Sequence, residues 1–149
     1  GKLDFIPEVM ESLDVKKIFH RVKQRPGKPF WFGKAPTGAT VFALPGNPVS
    51  SFMCTQIYFV PWLKKCLQLP ESVSPTAILQ RDTNFKPDLV YYLQVKISYN
   101  DQGQILAMPI DGNGSGDLAN LVDADAFLRL PRGKVLFKKG EYFPVIFYR

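Results

Sequence analysis

The chain has 149 residues, 46% hydrophobic and 21% charged, enough for one ordinary domain or two small ones around a real core. No apolar run reaches the roughly 18 residues of a membrane-spanning helix. The first twenty residues are amphipathic and charged, unlike a signal peptide; the expected location, the cytoplasm, rests on the two unbridged cysteines. The net charge of +6 is uneven: residues 1–70 carry ten Lys/Arg against four Asp/Glu, and residues 71–149 carry nine of each. A positive first half favours an anionic ligand there, small or polymeric.

Asp4 to Leu13 reads as a short helix, with Asp4 at its N-cap and Ile6, Val9, Met10 and Leu13 on one face. Lys16 to Lys23 alternates as a strand, Pro26-Gly27 is a turn, and Phe30 to Gly33 is a second strand. After another turn at Pro36-Thr37-Gly38, Thr40 to Leu44 forms a buried strand that enters the loop Pro45-Gly46-Asn47. A helix then runs from Pro48 to about Leu67. Asn47 is a good N-cap, and Pro48 loses no bond at the first helical position. Pro61 predicts a kink. Cys54 and Cys66 fall on this helix about 18 Å apart, too far to bridge, and are expected to be reduced core thiols. No His/Cys spacing suggests a metal site, and His20 is the only histidine.

LQLPESVSP (67–75) has a linker's composition. Beyond it come short strands at Ala77–Arg81, Val90–Tyr99, Ile105–Ile110, Ala126–Leu130 and Tyr142–Tyr148. Asn100 to Gly103 turns a hairpin, Asp111 to Gly116 is a Gly-rich loop, and Asp117 to Val122 is at most a short helix. Such spacing argues for a small β-barrel or sandwich. No internal repeat is present.

Two stretches suggest chemistry. From Val15 to Lys34 there are seven Lys or Arg and no acidic residue, grouped around the turn Pro26-Gly27-Lys28-Pro29. The LPGNP segment feeds a helix N-terminus, where backbone N–H groups favour an anion. On adjacent strands these two turns would make a phosphate or oxyanion pocket; the plainer reading is a solvated basic face beside a capped helix.

RPGKPFWFG followed by LPGNPVS resembles the molybdopterin molybdenumtransferase family (MoeA and the E domain of gephyrin). GKLDFIPEVMESL is similar to the family segment after its Gly-Gly-x-Ser turn, and IDGNGSGDLANLVDADAFLRLP resembles its C-terminal domain. The resemblance covers nearly the whole chain. It implies an α/β fold: residues 1–69 as the C-terminal half of a three-layer, molybdopterin-binding-like domain, 70–75 as a linker, and 76–149 as a barrel-like C-terminal domain. Three strands and two helices cannot cover both faces of a doubly wound sheet. The expectation is therefore a C-terminal fragment of a longer enzyme, with little activity alone.

The family joins molybdate to the dithiolene of adenylylated molybdopterin and releases AMP, and the resemblance carries this chemistry to particular residues. Lys28 and Asp4 are the expected catalytic residues; their plainer readings are a solvated turn lysine and a helix cap. Arg21 and Arg25 would contact phosphate, Pro29 would line the pocket, and Gly46, Asn47 and Ser50 would shape it or donate to it. Ser115 matches a serine near molybdate, with a flexible loop tip as the alternative. Gln94 falls where the family usually has an arginine in a Phe-x-Arg-Val strand, here Tyr92-Leu93-Gln94-Val95. An amide can bond molybdate but cannot neutralise it. His20 is expected as a half-buried strand histidine, and Phe30, Trp31 and Phe32 as core rather than a pterin-stacking platform. Magnesium and a homodimer follow from the resemblance. A non-catalytic scaffold of the same family is the alternative function, kept open by Gln94. Nucleic-acid binding is disfavoured because the basic residues cluster at one turn rather than along a face.

Overall fold

The structure is a computed structural model and describes residues 4–70, 73–110 and 118–149. Helix α1 spans Ile6–Ser12, with Phe5 rather than Asp4 at the N-cap and no side-chain capping bond, which corrects the reading of Asp4 as a helix cap. α1 buries no side chain. Next come β1 (Lys16–His20), β2 (Gln24–Arg25), β3 (Trp31–Lys34) and β4 (Thr40–Ala43). β1, β3 and β4 form an antiparallel sheet in that order. β1 stops short of Lys23 because Arg21 adopts a left-handed φ of 68° and turns the chain out of the ladder. Gly33 is required within β3: a Cβ there would lie 2.3 Å from the Trp31 ring and 2.6 Å from the Lys16 carbonyl.

The long helix begins as expected at Pro48, behind Asn47. The Asn47 side chain, in extended backbone, accepts the Ser50 N–H at 3.0 Å. It runs as α2 (Pro48–Cys54), a π-helical stretch at Thr55–Phe59, and α3 (Val60–Cys66). Pro61 has no N–H to donate, and its ring crowds the carbonyl four residues back. The helix widens just before it instead of ending. Cys54 is buried, but Cys66 is exposed on the last turn, so only one of the two is a core thiol.

The second half contains β5 (Thr76–Leu79), β6 (Thr83–Asn84), β7 (Val90–Tyr99), β8 (Ile105–Pro109), α4 (Leu118–Asp123), β9 (Ala126–Leu130), β10 (Leu136–Phe137) and β11 (Tyr142–Phe147). Five of these strands close into a barrel in the order β7-β8-β5-β11-β9, with β9 returning to β7. Closure leaves no free edge within the ring. Strand alternation sorts the side chains. Leu93 and Val95 of β7 and Ala126, Leu128 and Leu130 of β9 fill the barrel interior. Tyr92 and Phe127, from the intervening positions, are buried in a second core with Phe30, Met53 and Cys54. This second core joins the barrel's outer face to the first half of the chain. β2 reinforces the junction by pairing in parallel with the start of β7, Gln24 opposite Val90 and Arg25 opposite Tyr91.

Candidate functional site

The basic turn is held from beneath by Gln24, a fully buried polar side chain. Its Nε2 lies 3.5 Å from the Gly27 carbonyl and 3.6 Å from Cys54 Sγ, and its Oε1 accepts the Tyr58 hydroxyl. Gly27 has a φ of 86°, and a Cβ there would sit 2.7 Å from Cys54 Sγ and 2.8 Å from Gln24 Nε2. Glycine is thus demanded twice, by conformation and by packing. Burial pushes the Cys54 thiol up to about 12, against a small lowering by the Gln24 amide, and burial also raises Tyr58. Neither is an ionised nucleophile at neutral pH. Two backbone bonds close the loop above this base: Arg21 N–H to Phe30 O at 2.9 Å and Val22 N–H to Lys28 O at 3.0 Å. Arg21, Lys28 and Pro29 are exposed on it. Phe30 and Trp31 are buried, as expected for core aromatics, and Phe30 stacks on Tyr58 at 4.6 Å.

A cleft of about 390 Å³ opens where β2 and the start of α2 meet the outer face of the barrel. Arg25 and Gln94 line it together, joined by Arg81, Asp82 and Asn120. The Arg25 guanidinium lies 6.0 Å from the centre of the Phe85 ring. Arg81 Nη2 donates to the Pro109 carbonyl at 3.1 Å. Gln94 Nε2 is buried in the cleft wall and has no hydrogen-bond partner among the described residues. Such a donor carries a desolvation cost of about 1–3 kcal/mol until an acceptor reaches it. Among the described residues, two guanidiniums, an amide donor without an acceptor and a single carboxylate line the cleft, a set whose chemistry suits an oxyanion.

The remaining candidate residues are placed differently. Asp4 lies at the end of β1, its Oδ2 3.3 Å from His20 Nε2, and His20 is half-buried as expected. Ser50 is buried, and its hydroxyl donates to Asn47 Oδ1 at 3.1 Å, so Asn47 and Ser50 satisfy each other within the helix cap. Gly46 is exposed, and a Cβ on it would meet nothing within 4 Å. No contact among the described residues explains glycine there. Lys28, Arg21, Asp4 and Gly46 do not line the cleft with Arg25 and Gln94. Ser115 lies outside the described residues.

Arg81 and Gln24 belong to no motif in the sequence, and Asn120 lies within the stretch 110–131 at a position to which the resemblance assigns no role. Gln24 had one signal, a polar residue whose neighbours Val22 and Pro26 turn inward. Arg81 had none, and Asn120 had only its place in that stretch, because both reach the cleft through barrel closure. A larger groove, about 1100 Å³, runs between α3 and strands β9 and β11 past Trp62, Lys65 and Arg129. It contains none of the candidate residues.

Two family regions match the chain: the probable molybdopterin binding domain over residues 1–65 and the MoeA C-terminal region (domain IV) over residues 76–148. A molybdopterin molybdenumtransferase of Synechocystis sp. is 41% identical over 145 residues, covering 97% of this chain and 35% of that protein. The Bacillus subtilis protein of the same name is 28% identical over 151 residues, covering 100% and 35%. A crystal structure of the molybdopterin biosynthesis moeA protein from Pyrococcus horikoshii superposes with a TM-score of 0.80 at 28% identity, over 98% of this chain and 35% of that one. The chain therefore spans about a third of the length of these relatives.

Proposed function

Since the chain belongs to the molybdopterin molybdenumtransferase (MoeA) family, we propose that it forms the C-terminal part of an enzyme that inserts molybdate into adenylylated molybdopterin and releases AMP. The observation that carries this reading is the cleft shared by Arg25 and Gln94 at the junction of the two halves. The reaction brings a molybdate dianion to a dithiolene while a phosphate bond breaks. Fixed cationic and N–H donors aimed at the oxygens stabilise that charge without reorganising. Arg25 holds a phosphoryl oxygen in this reading, and Gln94 Nε2 donates to a molybdate oxygen. Lys28 and Arg21, exposed on the loop above, provide further positive charge, with Pro29 shaping the turn. Asn47 and Ser50 serve by fixing the LPGNP backbone rather than by donating. Gly46 keeps that backbone open to the ligand. Asp4 helps to orient water or a leaving group beside His20. For Ser115, the role near molybdate rests on the family resemblance alone.

Among the described residues no three of His, Cys, Asp and Glu approach closely enough to hold a metal ion. These side chains alone do not fit a magnesium site, and no step is assigned to one. The expected partners are the small-molecule substrates and a second copy of the protein, in the cytoplasm, without nucleic acid. An exposed apolar strip of Phe5, Val9, Leu13 and Ile18 supports burial against further polypeptide. No helix among the described residues is long and apolar enough to cross a membrane.

The test is AMP release from adenylylated molybdopterin by the full-length protein, with and without molybdate. Molybdate-dependent release should fall by roughly 100-fold or more in Lys28→Ala, the scale of losing a charged transition-state contact. Thermal unfolding should not change, because Lys28 is exposed. Release that is unaffected in Lys28→Ala removes Lys28 from the site. No release at all from the parent protein, restored in Gln94→Arg, favours the scaffold function.

A further inference from the structure

We infer that Tyr58 is a positioning residue for the reaction, acting through Gln24 to hold the basic turn that carries Arg25 and Lys28. The inference rests on the reading above, in which this turn serves the anionic substrates. Tyr58 grips the turn at both ends. Its hydroxyl donates to Gln24 Oε1, on the residue that leads into the turn. Its ring stacks on Phe30, the residue that follows the turn, at 4.6 Å and 2° between planes. Between these anchors the Phe30 N–H donates to the Gly27 carbonyl at 3.2 Å, and Gln24 Nε2 faces the same carbonyl at 3.5 Å. One side chain, 34 residues beyond Gln24, thus fixes both flanks of a loop to which it is not adjacent in sequence.

The helix is built to deliver this contact. Tyr58 lies in the π-helical stretch Thr55–Phe59, just beyond Cys54, whose Sγ packs beneath Gly27. A π turn holds more residues than an α turn and so changes which side chains face a neighbour; such turns recur at functional sites. The hydroxyl in turn decides how the Gln24 amide sits. Gly27 presents a carbonyl, which needs the Nε2 donor, and that leaves Oε1 for the Tyr58 O–H. Gln24 is 1% exposed, so water does not replace a lost partner. Without the hydroxyl, a buried oxygen goes unpaired and the amide loses its reason to face Gly27. The turn then drifts, and a misplacement of about 1 Å at a donor aimed at the transition state can cost about 100-fold in rate.

The experiment is a molybdate titration of AMP release by the full-length protein, its Tyr58→Phe variant and the Gln24→Met/Tyr58→Phe double variant, at a temperature where all three are folded. Tyr58→Phe keeps the ring on Phe30 and removes only the hydroxyl. Its kcat should fall by roughly 10- to 100-fold with the KM for molybdate changed little, the pattern of a contact made in the transition state. The double variant removes both polar partners, so its melting temperature should return towards that of the parent while kcat stays low. If kcat recovers together with the melting temperature, packing alone matters and the positioning role is overturned. An unchanged kcat in Tyr58→Phe, in a protein that Lys28→Ala inactivates, also overturns it while leaving the proposed reaction standing. If the parent releases no AMP, the proposed reaction fails instead, and hydrogen exchange read by mass spectrometry decides on the turn. The N–H groups of Arg21 and Val22 close the loop onto Phe30 and Lys28, so Tyr58→Phe should speed exchange in a peptide spanning residues 20–30 and leave β9 unchanged. Equal exchange in the two proteins, or faster exchange throughout the chain, removes Tyr58 from its role.

Discussion

Gly27 and Gly38 share a φ of 86°, yet they differ in what surrounds them. A Cβ at Gly38 would meet nothing within 4 Å, whereas one at Gly27 would collide with Cys54 and Gln24. Alanine at Gly38 should therefore cost only the left-handed backbone, about 1–2 kcal/mol. Alanine at Gly27 adds overpacking of a rigid base, raising the total to about 2–5 kcal/mol. Urea unfolding of the two variants measures the difference, which isolates packing because the backbone term is common. In a Cys54→Ala background the Gly27→Ala penalty should shrink, since the nearest colliding atom is gone. Equal penalties at the two glycines would mean that the turn is not clamped onto the helix. The consequence for the site is direct, because the same clamp positions Arg25 and Lys28 on either side of Gly27.

At the scale of elements, the five barrel strands were legible within one or two residues because alternation and turn residues are local signals. Asn100 shows why: its Oδ1 accepts the N–H groups of Gln102 and Gln104 at 3.1 and 2.8 Å, so the hairpin closes on its own sequence. The two-residue strands β2, β6 and β10 were not legible. Their pairing is imposed by partners far along the chain, as β2 is by β7. The cleft shared that fate. Arg25 and Gln94 were found through motif resemblance, while Arg81 and Asn120 needed the closed barrel to meet them. The Asn47 cap was legible, but its cost was not: it occupies the Ser50 hydroxyl expected to face a ligand. Barrel closure itself also depends on a long-range contact. Asp125, just before β9, accepts the Ile97 N–H at 2.9 Å and the Lys96 ammonium at 3.1 Å. The Ile97 N–H, and then Lys96, hold its carboxyl below the usual range despite some desolvation. A depressed carboxylate stabilises the fold above its ordinary pKa, near 3.8, and loses that contribution as pH falls through the lower folded value. Asp125→Asn should therefore be less stable by about 1–2 kcal/mol at pH 7. The gap should close as pH falls through the lowered pKa of the parent carboxyl, where that carboxyl is itself protonated. A gap that persists unchanged in acid would show that the charge is not what matters.

At the scale of the molecule, the question is whether the two halves fold as one. The barrel interior belongs to the second half alone, but the second core does not. Phe127 and Tyr92 come from the barrel's outer face, and Phe30, Met53 and Cys54 from the first half. The cleft lies at this junction, so its geometry is only as firm as the contact between the halves. Phe127 is fully buried there, packed 6.3 Å centre to centre from Phe52 and 5.0 Å from Tyr148. Phe127→Ala should cost about 3–5 kcal/mol, the range for an aromatic removed from a core. Leu128→Ala, one residue on but inside the barrel, should cost about 2–5 kcal/mol. Stability alone cannot tell them apart, but cooperativity can. Both tryptophans, Trp31 and Trp62, sit in the first half, so their fluorescence reports that half while far-ultraviolet circular dichroism reports the whole. In the parent the two signals should unfold together. Phe127→Ala weakens the junction and should separate them, with tryptophan fluorescence changing at lower denaturant. Leu128→Ala weakens the barrel and should not expose the first half earlier. Separate transitions already in the parent would mean that the second core does not couple the halves, and that the cleft is assembled by other contacts.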